Sequence, residues 1–146
     1  MSRIRYITVA LFCFVALLFV SYGKLPQTFF QQDEWAIFGY HISADKLELS
    51  LFNRLFIHQQ ETHLNPLSNF ATLVQFRFFG LEFAPYAWVA IGLHVVNAVL
   101  VYILSWMLTK KRWLALLAGI FFLVNSTPHQ AISWIATTTG TAGSTL

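Results

Sequence analysis

The stretch "FAPYAWVAIGLHVVNAVLVYILSWMLT", residues 83–109, decides the fold class, because no charged side chain interrupts it. As a helix it would be about 40 Å long at ~1.5 Å per residue. The hydrocarbon core of a bilayer is only about 30 Å thick. Pro85 suits the first helical turn, where its missing N–H is not needed. The stretch therefore predicts a transmembrane helix that tilts or protrudes from the membrane.

The composition of the whole chain agrees with a membrane protein. Of its 146 residues 57% are hydrophobic and 10% charged, whereas soluble domains have about 45–50% and about 25%. The net charge of +3 includes no basic block of the kind that binds nucleic acid. P-loop, CxxC, HExxH and GxSxG motifs are absent, and Cys13 alone forms no internal disulfide. We expect an all-α membrane protein without a nucleic-acid partner.

An earlier apolar run, residues 6–22, predicts another span. It is just long enough to cross a bilayer, and Arg3 and Arg5 precede it. By the positive-inside rule these arginines place the N-terminus in the cytoplasm. A cleaved signal peptide is the alternative, since Ser21 and Gly23 have cleavage-like spacing.

Later segments extend the membrane topology. The basic cluster Lys110–Arg112 marks the end of the 83–109 helix as cytoplasmic. Residues 113–127 predict a third helix, and residues 131–146 predict the start of a fourth. We therefore expect three to four transmembrane helices, in the N-terminal portion of a larger protein. Residues 23–82 form a large first extracytoplasmic loop that contains all 6 acidic residues.

The outer loop contains two candidate interfacial helices. Within residues 44–60, five apolar side chains are expected on one helical face: Leu47, Leu51, Phe52, Leu55 and Phe56. Residues 69–80 are aromatic, carry Arg77 and end at Gly80. Such patterns are typical of helices that lie in the membrane interface. Arg77 is then expected to extend towards the lipid headgroups.

The outer loop also holds candidate catalytic residues. Asp33 and Glu34 are adjacent carboxylates, so repulsion would raise the pKa of one of them. A general base or a cation ligand would use such an arrangement, and a solvated loop pair is the alternative. Trp35 suits sugar stacking or a position at the lipid headgroups.

Histidines supply the remaining candidates. His58, Glu61 and His63 are ligand types that zinc accepts, but their spacing matches no zinc signature. Substrate contacts or ordinary polar loop residues are therefore favoured over a metal site. His94 and Asn97 lie within the first quoted stretch, where polar groups should face a cavity or another helix. An inter-helix hydrogen bond is the favoured reading.

Taken in order, several motifs resemble the opening of the GT-C superfamily of membrane glycosyltransferases. They are "DEW" at 33–35, "HLNP" at 63–66, "HVVN" at 94–97 and "NSTPHQAISWI" at 125–135. This superfamily includes protein O-mannosyltransferases and bacterial enzymes that use polyprenyl-phosphate sugars. Two features depart from the family: Gln130 stands where an acid is frequent, and His129 directly follows Pro128.

The resemblance implies that the full-length protein transfers a sugar to an acceptor hydroxyl outside the cytoplasm. The donor would be a polyprenyl- or dolichyl-phosphate sugar, with Asp33 as catalytic base and Glu34 orienting the acceptor or a cation. We assign substrate contacts to Trp35, His58, His63, Arg77 and His129. No residue is assigned as a metal ligand, and a divalent cation is left open as a cofactor.

The expected location is an integral, multi-pass position in a membrane, and family frequency favours a bacterial inner membrane. Membrane lipids and the downstream helices of the same protein are expected partners, and the fragment alone is expected to be inactive. The alternative is a small non-enzymatic membrane protein, such as a transporter fragment or an assembly subunit.

Overall fold

The computed structural model describes the backbone of residues 3–56, 66–125 and 134, and their side chains except at 3, 4, 6–11, 32 and 33. The described part is all-helical, which confirms the all-α prediction. Its helices are α1 (Arg3–Tyr22), α2 (Gln32–Lys46), α3 (Leu51–Phe56), α4 (Pro66–Phe79), α5 (Phe83–Thr109) and α6 (Arg112–Val124), with a short 3₁₀ turn at Leu25–Gln27.

Among the described residues, one helix is long and apolar enough to cross a membrane, namely α5. The most apolar 18-residue window of α5 has a mean hydropathy of 2.1, and only 28% of that window is buried within the chain. Helix α6 is apolar but shorter. It ends at Val124, because Asn125 has extended backbone, whereas the predicted helix continued to residue 127. The predicted fourth span, 131–146, lies outside the described residues except for Trp134.

Helices α5 and α6 form an antiparallel hairpin that is joined by a very short connection. A Cβ atom on Gly119 of α6 would lie 3.2 Å from the Ala98 carbonyl oxygen and 3.3 Å from Tyr102 Cβ. Ala98 and Ala115 are buried along the same contact. Small residues allow the two helix backbones to approach closely, as they do in membrane helix pairs.

The ends of α1 and α6 meet at the middle of α5. The Tyr22 hydroxyl donates to the Leu123 carbonyl oxygen at 3.0 Å, and His94 Nε2 lies 3.1 Å from the same oxygen. His94 therefore makes the inter-helix contact that its position suggested. The same nitrogen lies 3.3 Å from the Tyr22 hydroxyl oxygen. We call α1, α5 and α6 the apolar layer.

Helices α2, α3 and α4, which we call the outer unit, join α5 through an aromatic cluster. Its centre is Phe38 of α2, whose ring centroid lies 4.7 Å from Phe30, 5.5 Å from Phe76 and 5.7 Å from Tyr86. Phe30 also contacts Phe83 at 5.1 Å. Most of these ring pairs are edge-to-face, a favourable arrangement of their quadrupoles. The cluster fixes α2 and α4 against the first half of α5.

The prediction of one continuous amphipathic helix over residues 44–60 is wrong, because the helix is interrupted within this segment. Helix α2 ends at Lys46 and α3 begins at Leu51. Between them Glu48 adopts a left-handed conformation with φ 50°, which a non-glycine residue adopts only at an energetic cost. Leu47 is therefore outside both helices and does not share the face of α3.

Candidate functional site

The Asp33–Glu34 pair lies at the start of a helix, not in a loop. Helix α2 begins at Gln32, so Asp33 is in its first turn. Phe30, just before the helix, is buried in the aromatic cluster. This anchor fixes the backbone that carries Asp33 close to the N-terminal end of α5. A helix N-terminus also favours a carboxylate, because its backbone N–H groups are unsatisfied.

Glu34 has a structural contact of its own. Its Oε2 accepts the Gln31 N–H at 2.5 Å, which is the glutamate half of a capping box. The residue is only 1% exposed, so the interpretation of Glu34 as a solvated loop residue is wrong. Because this hydrogen bond holds the first turn of α2, Glu34 positions the backbone of Asp33.

His41 is a buried titratable residue that the sequence reading missed. It is 2% exposed and stacks on Phe76 with ring centroids 5.7 Å apart. Glu34, Phe38 and His41 follow one another at helical spacing on the buried face of α2. That spacing is the signal in the sequence that indicates a buried face at this position.

Trp35 directly follows Glu34 in α2, and about half of its surface is exposed. Its ring makes edge contacts with Phe30 at 5.5 Å and Phe38 at 6.4 Å. The aromatic cluster therefore supports the indole from one side and leaves the rest accessible. This arrangement suits both a sugar-stacking surface and a position among lipid headgroups.

Arg77 does not point at the carboxylate pair but binds Asp45 at the other end of α2. Its Nη2 donates to Asp45 Oδ1 at 2.5 Å, and Arg54 donates to the same oxygen. Arg54 also donates to the carbonyl oxygens of Leu49 at 2.8 Å and Ala44 at 3.1 Å. The Arg54 hydrogen bond, with help from Arg77, holds the pKa of Asp45 below its usual value.

The structure thus separates the predicted substrate residues. Asp33 and Asp45 are 12 positions apart in α2, which corresponds to about 18 Å along the helix. Arg77 lies with Asp45, while Trp35 lies with Asp33. His58, His63 and His129 fall outside the described residues.

Within residues 3–56 and 66–125, the structure brings together no group of three or more potential metal ligands. Glu61, a candidate ligand together with His58 and His63, is also outside the described residues. Next to the backbone of Asp33, the described side chains include the buried carboxylate of Glu34 and the half-exposed indole of Trp35.

A separate open groove of about 450 Å³ lies on the apolar layer. It is lined by Asn97, Leu100, Val101, Ile103, Leu104, Met107 and Phe122. These residues belong to the second half of α5 and to α6. The groove is therefore remote from α2 and contributes nothing to the carboxylate site.

Comparison of the chain with protein-family models, with curated proteins and with solved structures finds no match. A functional proposal consequently depends on the residues and on their geometry. The feature on which such a proposal can best be built is the first turn of α2, which contains Asp33, Glu34 and Trp35 and begins with a capping box.

Proposed function

We propose that the chain belongs to an integral-membrane glycosyltransferase of the GT-C type. It transfers a sugar from a polyprenyl- or dolichyl-phosphate donor to an acceptor hydroxyl on the extracytoplasmic side. The observation that carries this proposal is the carboxylate pair in the first turn of α2, which the buried Phe30 and Glu34 fix beside the start of α5.

The proposed topology has a cytoplasmic N-terminus, with α1, α5 and α6 as spans. The length and hydropathy of α5 support it, as does the basic turn that follows α5. On the outer unit, large apolar side chains remain exposed on α3 and α4: Leu51, Phe52, Leu67, Phe70 and Phe78. Their exposure supports an interfacial position for both helices.

In the proposed reaction Asp33 accepts the proton of the acceptor hydroxyl. The hydroxyl oxygen forms a bond to the anomeric carbon of the sugar, and the bond from that carbon to the lipid phosphate breaks. General-base assistance of this kind contributes about 10²–10⁴-fold to a rate. Glu34 positions Asp33, and the exposed indole of Trp35 stacks on the sugar.

The proposal also includes contacts to the donor phosphate. Arg77 has a side chain that is 57% exposed, but it lies with Asp45, about 18 Å along α2 from Asp33. His58, His63 and His129 are proposed as further donor or acceptor contacts on the basis of the resemblance. A divalent cation beside Glu34 also belongs to the proposal.

The test is Asp33→Asn in membranes from cells that express the full reading frame of the gene. Transfer is measured with a panel of radiolabelled polyprenyl-phosphate sugars. Asparagine cannot take the proton, so transfer should fall by about 10²–10⁴-fold. Glu48→Gln is the matched control, because it removes one exposed carboxylate from the turn between α2 and α3, and it should leave transfer unchanged. Undiminished transfer by Asp33→Asn at a normal membrane level would contradict the proposal.

A second candidate, a non-enzymatic assembly subunit, is favoured by one observation. Glu34 caps a helix, and Arg54 and Arg77 bind Asp45, so these polar groups already have structural partners. This candidate predicts no transfer by wild-type membranes from any sugar in the panel. It also predicts that other membrane subunits co-purify with the chain.

A further inference from the structure

The turn between α5 and α6 is the most strongly basic surface in the described part of the chain. Lys110, Lys111 and Arg112 are consecutive and all three are exposed. Glu82, the nearest acidic residue in the sequence, precedes the opposite end of α5. Since α5 is about 40 Å long, that carboxylate does not neutralise these cations. We call residues 110–112 the basic turn.

Local hydrogen bonds hold the basic turn in one conformation. Lys110 ends α5 in a left-handed conformation with φ 56°, and its N–H bonds to the Trp106 carbonyl oxygen at 2.9 Å. The Thr109 hydroxyl accepts the Lys111 N–H at 3.3 Å and donates to the Ser105 carbonyl oxygen at 2.7 Å. The backbone beneath the cations is thus fixed in advance of any ligand.

Aromatic and aliphatic side chains surround the basic turn. The Arg112 guanidinium lies 5.3 Å from the Trp106 ring centroid, a cation–π contact. Trp113, Met107 and Leu108 are 58%, 60% and 75% exposed. Cations at the end of such an apolar surface match the boundary between lipid tails and headgroups. A soluble polyanion would leave these apolar side chains in water, so a lipid surface fits better.

We propose that the basic turn binds the phosphate groups of anionic phospholipids at the cytoplasmic face of the membrane. Lys110 and Lys111 supply the charge, and Trp106 and Trp113 hold the turn at the depth of the headgroups. This lipid interaction is independent of sugar transfer, because the basic turn and Asp33 lie at different ends of the molecule.

The test measures lipid binding to the full chain in a neutral detergent by native mass spectrometry. Phosphatidylglycerol is the anionic probe and phosphatidylcholine the zwitterionic probe. The variant Lys110→Gln/Lys111→Gln removes two cations and retains Arg112 over Trp106. Its control, Lys24→Gln/Lys46→Gln, removes two exposed lysines elsewhere and has the same net charge.

Each cation near an anionic surface contributes a factor of about five. Phosphatidylglycerol should therefore bind the Lys110→Gln/Lys111→Gln variant about 25-fold more weakly, and the control should bind it like the wild type. Phosphatidylcholine binding should be the same in all three proteins. Equal binding of the two lipids by the wild type, or equal losses in both variants, would overturn the proposal.

A salt titration of the wild type tests the same electrostatic interaction without a variant, in case the variant fails to fold. Raising the salt from roughly 0.05 to 0.5 M shortens the range of exposed charge interactions. Phosphatidylglycerol binding should then weaken while phosphatidylcholine binding stays constant. Phosphatidylglycerol binding that is insensitive to salt would contradict an electrostatic site.

Discussion

The apolar layer and the outer unit are held together by different means. In the apolar layer, α6 approaches α5 closely at Gly119. The side chains of Tyr22 and His94 both contact the Leu123 carbonyl oxygen. In the outer unit, rings surround Phe38 and two arginines share Asp45. Small residues let membrane helices approach closely, whereas the outer unit is held by packed aromatic rings and by ion pairs to one carboxylate.

The charged residues are also distributed unevenly between the two regions. The six acidic residues of the chain lie between residues 33 and 82, whereas the only three consecutive cations follow α5. The carboxylate of the proposed catalytic base, Asp33, is one of these acids. The apolar layer carries a groove and a basic turn that suit lipid. Variants in each region should show which contacts contribute most to its stability.

The largest effect on stability is expected from Phe38→Ala. Phe38 is 2% exposed and contacts rings from α4, α5 and the segment before α2. Removing a buried ring of this kind costs about 3–5 kcal/mol, measured as the free energy of unfolding in detergent. Phe29→Ala is the control, since Phe29 is 83% exposed and its loss should have little effect. Equal losses would show that the cluster does not hold the outer unit.

The variants Arg54→Gln and Arg77→Gln compare how much a buried and an exposed cation contribute to stability when both bind the Asp45 carboxylate. The Arg54 side chain is 11% exposed and that of Arg77 is 57% exposed. Losing the charged hydrogen bonds of Arg54 to two backbone carbonyls should cost about 2–3 kcal/mol. The effect of Arg77→Gln should be small, as for exposed ion pairs generally. If Arg77→Gln lowered the free energy of unfolding more than Arg54→Gln, then Arg77 and not Arg54 would be the more important partner of Asp45.

Gly119→Leu tests close approach in the apolar layer. A side chain there meets the α5 backbone at 3.2 Å, so overpacking should cost about 1–3 kcal/mol. Gly92→Leu in α5 is the matched change, because nothing lies within 4 Å of its Cβ position, and it should be close to neutral. Indistinguishable thermal unfolding of the two variants would mean that the helices do not depend on the glycine contact.

How much of the fold could be predicted from the sequence differed between the two regions. Helix α5 has the predicted bounds because its uncharged stretch is bordered by Glu82 and Lys110. Helix α2 was missed because its buried face mixes Glu34 and His41 with Phe38, a composition that is typical of a polar loop. The break after α2 was missed because Glu48 takes a left-handed conformation without a glycine.

The candidate site was predictable in its residues but not in their contacts. Asp33 and Glu34 stood out as adjacent carboxylates, yet the burial of Glu34 depends on how α2 packs. Arg77 and Asp45 are 32 positions apart in the chain, so no local pattern indicates their ion pair. Long-range contacts of this kind depend on the packing of helices, which spacing alone does not determine.

The most direct test of the account asks whether the outer unit and the basic turn lie on opposite sides of a membrane. Cys13, the single cysteine, is first replaced by Cys13→Ser, and Glu48→Cys or Lys111→Cys is then added. Spheroplasts are treated with a membrane-impermeant maleimide. We expect Glu48→Cys to be labelled in intact spheroplasts, and Lys111→Cys to be labelled only after permeabilisation. Labelling of both positions from the same side would contradict the topology, and labelling of Glu48→Cys only after permeabilisation would remove Asp33 from an extracytoplasmic site.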